Sequence, residues 1–307
     1  MKTSFVSGIL AFVAAVFSAT AGEIPLRVAY PSGINGQLAK VIEKAGLAQK
    51  EGFQPTFTFF QYGPPMIEAL ASGQVDVIFT SLNPVASYLS KNPGGLVIIA
   101  DAGTGKHAVV VPGDSPVKTL ADLKGKKVAV SFNSDLHVDV VRSFKDLGIE
   151  PGRDVELVNL QPLELAGAFE QRLTDAVDIR VPALLKLTGS TGARVVAEWP
   201  WQFVVAVRKG YLDEHPGVAE KLRKVIADGV WYLASHPDEA AAWWGEQLRL
   251  DPALVKTSAE LNPLFRADSR EAVRVEPGAE LKARAETWAQ NLVDFGIRKE
   301  KVTYVYE

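Results

Sequence analysis

One pattern restricts this chain's fold more than any other: a strand, a polar turn and a helix in direct succession, occurring twice about a hundred residues apart. The first copy is Glu68–Leu89, EALASGQVDVIFTSLNPVASYL. Met66–Ser72 has helical spacing, with Ile67 and Leu70 on one face, and Gly73 falls where helices commonly end. Val75–Phe79 is a short apolar, β-branched run that reads as a buried parallel strand. Thr80, Ser81 and Asn83 form the turn, and Pro84 opens an apolar helix. The weaker copy is Gly167–Leu185, GAFEQRLTDAVDIRVPALL, with a helical piece through Phe169, a strand at Asp175–Ile179, then Arg180 and a helix opened by Pro182. Asp76 and Asp175 take equivalent places. Two such units predict an α/β protein of two lobes built alike. Open α/β sheets bind ligands at the carboxyl ends of their strands, and the free backbone N–H groups of such turns favour an anion. Ser81 and Asn83 are therefore candidate binding residues.

The segments around these units fit the same plan. Ile24–Tyr30 reads as the first strand and PSGING, residues 31–36, as a flexible polar turn before a helix reaching about Lys50. Its glycines match neither nucleotide-loop spacing, so Ser32 and Asn35 are read as ligand-facing turn residues. Phe57–Tyr62 reads as the second strand, which leaves Tyr62 either facing the ligand or packed as a core aromatic. Leu96–Ala100 and Ala108–Val111 read as separate apolar runs, and Pro112–Pro116 as a turn or linker. After a short helix and turn at Leu120–Lys127 comes a strand at Val128–Val130. Ser131-Phe-Asn-Ser-Asp135 then precedes a helix from about Leu136 to Leu147. Capping needs only one of these polar residues. Four in series read as a second anion-receptive helix start, with Ser131, Asn133 and Ser134 as candidates. Asp135 counts against an anion if its carboxylate faces the site. Val155–Leu160, Ala176–Ile179 and Arg194–Glu198 complete a second set of strands. Trp199–Phe203 leads through Val204–Val207 back to the first lobe. The remainder reads as helices at Pro216–Ala234, Pro237–Leu248, Asp251–Glu260 and Pro277–Phe295, whose tryptophans are assigned to packing. Val302–Tyr306 reads as a short edge strand.

Composition and motifs exclude several classes. The 307 residues carry a formal net charge of −3 and no long basic cluster, which argues against a nucleic-acid surface. MKTSFVSGILAFVAAVFSATA has a positive start, an apolar core too short for a membrane anchor and an A-x-A site, so residues 1–21 read as a cleaved signal peptide. No later stretch is apolar enough to cross a membrane, and the absence of Cys excludes disulfides and thiol chemistry. The expected address is the periplasm. The four histidines show no metal-binding spacing, there is no G-x-S-x-G elbow, and Asp175 and Asp178 point to opposite faces of a strand. Neither a metal, a cofactor nor a catalytic constellation is expected.

ALASGQVDV (residues 69–77), LADLKGKKVAV (120–130), Leu147-Gly-Ile149, Ala168–Pro182 and HPDEAAAWWGEQLRL (236–250) together resemble the periplasmic solute-binding proteins of ABC importers for sulfonates, nitrate and taurine. The resemblance implies a two-lobed periplasmic-binding-protein fold of type II, each lobe a mostly parallel sheet flanked by helices, closing on a ligand in the cleft between them. Residues 22–108 with 204–307 would form one lobe and 109–203 the other, with crossovers near Val109–Pro112 and Gln202–Val205. A monomer would capture a small organic anion, best matched by an aliphatic sulfonate such as taurine, and deliver it to a membrane permease. Where the family has an aromatic-Asp-Pro sequence, this chain has Arg180-Val-Pro182. Facing the cleft, Arg180 would offer a bidentate partner to a sulfonate, carboxylate or phosphonate; facing outward, it would be a surface ion pair. A related branch binds thiamine-precursor pyrimidines, so a neutral heteroaromatic ligand stacked on Tyr62, Phe132 or Trp201 is the alternative. A sensor module or an enzyme on the same fold is the alternative of another class.

Overall fold

The computed structural model describes residues 23–307; the signal-peptide reading falls on residues outside that range. The chain begins with β1 (Ile24–Tyr30), α1 (Ile34–Lys44), α2 (Leu47–Lys50), β2 (Phe53–Phe59), α3 (Gly63–Ala71), β3 (Val77–Ser81), α4 (Leu82–Leu89) and β4 (Leu96–Val111). It continues with β5 (Lys127–Val130), α5 (Asp135–Asp146), β6 (Glu156–Asn159), α6 (Leu165–Glu170), β7 (Ala176–Arg180), α7 (Ala183–Ser190) and β8 (Arg194–Arg208). The last part holds α8 (Lys209–Glu214), α9 (Val218–Ser235), α10 (Pro237–Leu248), α11 (Pro252–Ala259), α12 (Ala279–Asp294) and β9 (Val305–Tyr306).

The strands form one mixed, mostly parallel sheet in the order β2-β1-β3-β8-β4-β7-β5-β6, with β9 added beside β4. Its two ends mirror each other. β2, β1 and β3 run parallel at one end, and β6, β5 and β7 run parallel at the other. The repeat seen in the sequence is thus a repeat in the fold. The Asp76 backbone N–H donates to the carbonyl of Arg27, and that of Asp175 to the carbonyl of Lys127, at matching steps of the two units. Gly73 ends α3 with φ +72°, a left-handed conformation that glycine adopts without penalty.

The main correction to the sequence reading concerns the middle of the sheet. Leu96–Ala100 and Ala108–Val111 are not separate elements but the two ends of the 16-residue strand β4. Arg194–Glu198 and Val204–Val207 likewise belong to the 15-residue strand β8. β4 and β8 pair antiparallel along nearly their whole length, with register shifts at three points, one of them between Asp101 and Thr104. Val109–Val111 belong to the paired part of β4. Smaller differences affect β2, which ends at Phe59 and leaves Tyr62 as the N-cap of α3, and β9, which packs beside β4 as only Val305–Tyr306.

Helices cover both faces. β3 is buried at every position, as expected for a parallel strand covered on both sides. On one face Tyr30, Leu38, Phe53, Val225 and Trp244 share a core with the second half; on the other, α3, α4 and α12 close over Ile78, Ile98 and Ala206. Trp244, one of the two tryptophans of α10, is fully buried, consistent with a packing role.

Asp76 and Asp175 share a topological place but differ in environment. The Asp76 carboxylate is 2% exposed and accepts from Arg27 Nε and Nη2 at 2.8 and 2.7 Å and from Arg208 Nη2 at 3.0 Å. Burial pushes its pKa up, but the two arginines outweigh burial and hold it below the ordinary value. Asp175 is 43% exposed; it accepts from the Lys127 N–H at 2.8 Å and forms a loose ion pair with Lys126 Nζ at 3.9 Å. Asp76→Ala is expected to cost about 1.5–3 kcal/mol, the worth of hydrogen bonds to a charged group. Asp175→Ala is expected to stay below about 1 kcal/mol, as surface charges do. Urea denaturation of the two variants measures the difference, and equal losses would contradict the argument.

Candidate functional site

The centre of the molecule is set by sheet register. Arg180 is the last residue of β7 and stands opposite His107 of β4, which in turn stands opposite Trp199 of β8. Directly opposed residues of antiparallel strands project from the same face, so the three side chains form a row. Asp178, two residues before Arg180, shares that face. His107 is fully buried, with Nδ1 3.0 Å from Asp178 and Nε2 3.2 Å from Asp139 of α5. Trp199 stacks on the imidazole at 5.2 Å. Burial alone would lower the pKa of His107, but the two carboxylates outweigh it and raise it to about 10, so the ring is cationic at neutral pH. Because the two ring nitrogens point at different carboxylates, this cluster does not converge on a metal. Among the described residues no group of His, Asp and Glu is arranged to hold one.

Arg180 reaches from this row into the other half of the sheet. Its Nη2 donates to Ser32 Oγ at 2.7 Å and to the Gln61 carbonyl at 2.8 Å, and its guanidinium lies 5.1 Å from the centre of the Trp201 ring. Ser32 Oγ and the Ser32 N–H donate to the same Gln61 carbonyl. These residues follow β1 and β2, so the contact joins strand ends from both halves. Gly36 lets the turn after β1 close this tightly, since a Cβ there would lie 1.8 Å from the carbonyl oxygen of Pro31. Burial lowers the Arg180 pKa to about 10, which leaves the guanidinium charged. Among the described residues its hydrogen bonds go only to neutral oxygens, and Nε and Nη1 have no protein acceptor. A cavity of about 270 Å³ opens here, lined by Ser32, Ser131 and Arg180 and walled by Leu136, Leu165 and Val181.

The start of α4 is already served by a carboxylate. Asp135, in the first turn of α5, accepts from Ser81 Oγ at 2.5 Å and from the Asn83 N–H at 3.0 Å, and Asn83 Nδ2 donates to the Asn133 carbonyl. A helix N-terminus carries unsatisfied N–H groups and a positive dipole end, and here the chain supplies the anion from its other half. Ser81 and Asn83 therefore spend these donors within the protein. Burial raises the Asp135 carboxyl to about 6 against the pull of Ser81 and Asn83.

The other residues named from sequence take varied places. Ser134 caps α5 by accepting from the His137 N–H and donates to the Ser131 carbonyl, while Ser131 Oγ donates to the Leu160 carbonyl. Asn133 is exposed at φ +61°. Asp135 turns toward the start of α4, and the Ser131 and Ser134 hydroxyls donate within their own half of the molecule. Asn35 is buried; its Nδ2 donates to the Thr80 carbonyl and its Oδ1 has no partner. Tyr62 lies between core and surface, its hydroxyl 3.4 Å from Gln161 Nε2 of the other half. Trp201 is buried beneath Arg180, and Phe132 stacks on His137. Sequence reasoning missed His107, Asp139 and Asp178, as well as the Gln61 carbonyl. The available signal was Asp178-Ile-Arg180, whose charges alternate onto one face of an otherwise apolar strand.

The raised pKa of Asp135 has a definite sign. A carboxyl with a folded pKa near 6 and an unfolded value near 3.8 binds more protons in the native state. Its contribution to stability therefore falls as pH rises from about 4 to about 6. Wild type is expected to gain stability relative to Asp135→Asn as pH is lowered across that window. Thermal denaturation of both proteins between pH 7 and pH 4 tests this, and a constant difference would refute it.

Comparison with known proteins places this geometry in context. Over 237 residues the chain is 31% identical to the taurine-binding periplasmic protein of Escherichia coli K12, an alignment covering 75% of this chain and 71% of that protein. The fold superposes on the periplasmic aliphatic sulphonate binding protein SsuA of Escherichia coli with a TM-score of 0.75 at 21% identity, covering 91% and 95% of the two chains. It superposes on the alkanesulfonate-binding protein SsuA of Xanthomonas axonopodis pv. citri, bound to MOPS, with a TM-score of 0.76 at 20% identity, covering 92% and 96%. Residues 65–240, more than half of the chain, match the family described as NMT1/THI5 like, and the chain belongs to that family.

Proposed function

We propose that this chain is the substrate-binding component of an ABC importer, which captures an aliphatic sulfonate or a similar small organic anion in the periplasm and passes it to a membrane permease. The observation that carries the reading is Arg180, a buried cation at a strand end with two donor nitrogens unpartnered among the described residues, beside a cavity between the two halves. The similarity to taurine- and sulfonate-binding periplasmic proteins supports the ligand class and the periplasmic address. Export by cleavage of residues 1–21, action as a monomer and a purely non-catalytic role belong to the same proposal.

In this reading residues 22–108 with 204–307 move against 109–203. β4 and β8 run between the two lobes, and Gln202 Nε2 holds Asp101 and the Gly103 carbonyl at the register shift on the side of the first lobe. Ser32, Ser131 and Arg180 face the ligand. Asn35, Tyr62, Ser81, Asn83, Asn133, Ser134 and Trp201 shape the closed cleft around it. Closure is favoured because the ligand gains contacts from both lobes only in the closed form. The neutral heteroaromatic alternative is less well served, since Arg180 covers the Trp201 ring and His137 covers that of Phe132.

Titration calorimetry of protein stripped of ligand by unfolding and refolding tests the proposal. Arg180→Ala is expected to lose about 1.5–3 kcal/mol of sulfonate affinity, the range for a charged hydrogen bond. An unchanged affinity, or tight binding of a heteroaromatic ligand in place of every sulfonate, would overturn the reading.

A further inference from the structure

We infer that the cavity selects a sulfonate whose apolar body ends in a second anionic group, and that it rejects an amine at that end. The inference rests on the sulfonate reading above and narrows it. Among the described residues lining the cavity there is no Asp or Glu. The carboxylates behind Arg180 are committed elsewhere, Asp135 to Ser81 and Asn83 and Asp178 to His107. An ammonium group carried into this space would lose its hydration and meet no acceptor of opposite charge, which is costly.

The walls and the rim point the other way. Leu136, Leu165 and Val181 line the interior, while Leu163 is 54% exposed and presents an open apolar surface that a ligand body would cover. The two remaining cations of the lining are Lys186 of α7 and Arg249 at the end of α10, one from each half of the molecule and both solvent-exposed. Lys186 shares its charge with Glu170 at 3.2 Å, whereas Arg249 forms no ion pair among the described residues. Arg249 also stands at φ 55° and ψ 47°, a left-handed conformation unfavourable for a residue with a Cβ. A ligand held by Arg180 at one end and extending through the apolar section brings its other end toward these two charges. They attract an anion there and repel a cation.

Calorimetry with taurine, 1-butanesulfonate and 4-sulfobutanoate, on wild type and on the double variant Lys186→Gln/Arg249→Gln, tests the inference. The expected order of affinity is 4-sulfobutanoate, then butanesulfonate, then taurine. The double variant is expected to lose about fivefold on 4-sulfobutanoate, the upper range for an exposed charge pair, with butanesulfonate unchanged. Taurine binding at least as tightly as butanesulfonate, or equal loss of both ligands in the variant, overturns the inference and leaves the sulfonate reading standing. Absence of binding by all three in a protein that still unfolds cooperatively overturns the sulfonate reading, and this inference with it.

Discussion

The antiparallel pairing of β4 with β8 is the constraint on which the rest of the molecule depends. Because each strand runs through both halves, their shared ladder fixes how the carboxyl ends of β1, β2 and β3 face those of β5, β6 and β7. Arg180 meets Ser32 and Gln61, and Asp135 meets Ser81 and Asn83, only because this ladder sets the two ends of the sheet against each other. Each of these contacts joins residues that are 52–148 positions apart in sequence.

A second constraint is the price of burying charge in that arrangement. An isolated ion in a protein interior costs several kcal/mol, and it persists only with good geometry and full hydrogen bonding. His107 meets this condition through a carboxylate on each side and an indole face above. Asp135 meets it through a hydroxyl and a helix start. Arg180 meets it only partly, through neutral oxygens and the Trp201 ring. Of these three charges, the incompletely compensated one is Arg180, which lies beside the cavity.

Much of the fold was legible because it depends on local pattern. The two strand-turn-helix units, the Gly73 helix end, the Ser134 cap and the helices after residue 216 are written in short-range spacing. The centre of the sheet was not. Gly103, Gly105 and Lys106 interrupt the apolar run of β4, and Trp199-Pro-Trp201 interrupts that of β8, so each strand reads as two pieces. Their continuity comes from pairing with each other, which no short window contains. The candidate site divides in the same way. That Arg180, Ser32 and Ser131 stand near strand ends was legible because strand ends can be located. That Asp135 would settle on Ser81 and Asn83 depends on a juxtaposition of halves that local spacing does not encode.

The order of strands in the sheet also bears on how the chain is made. β8 lies between β3 and β4, so the first 111 residues contain two strands whose intervening partner ends at residue 208. Tyr304 then donates its hydroxyl to the Leu82 carbonyl at the start of α4, a bond spanning 222 residues, and β9 joins the sheet beside β4. During synthesis from the N-terminus, the first half emerges with a slot in its sheet and an unfinished helix start, and it stays incomplete until β8, Tyr304 and β9 have been made. Non-local pairing of this kind slows folding. With this strand order, the sheet is not complete before its last strand has arrived.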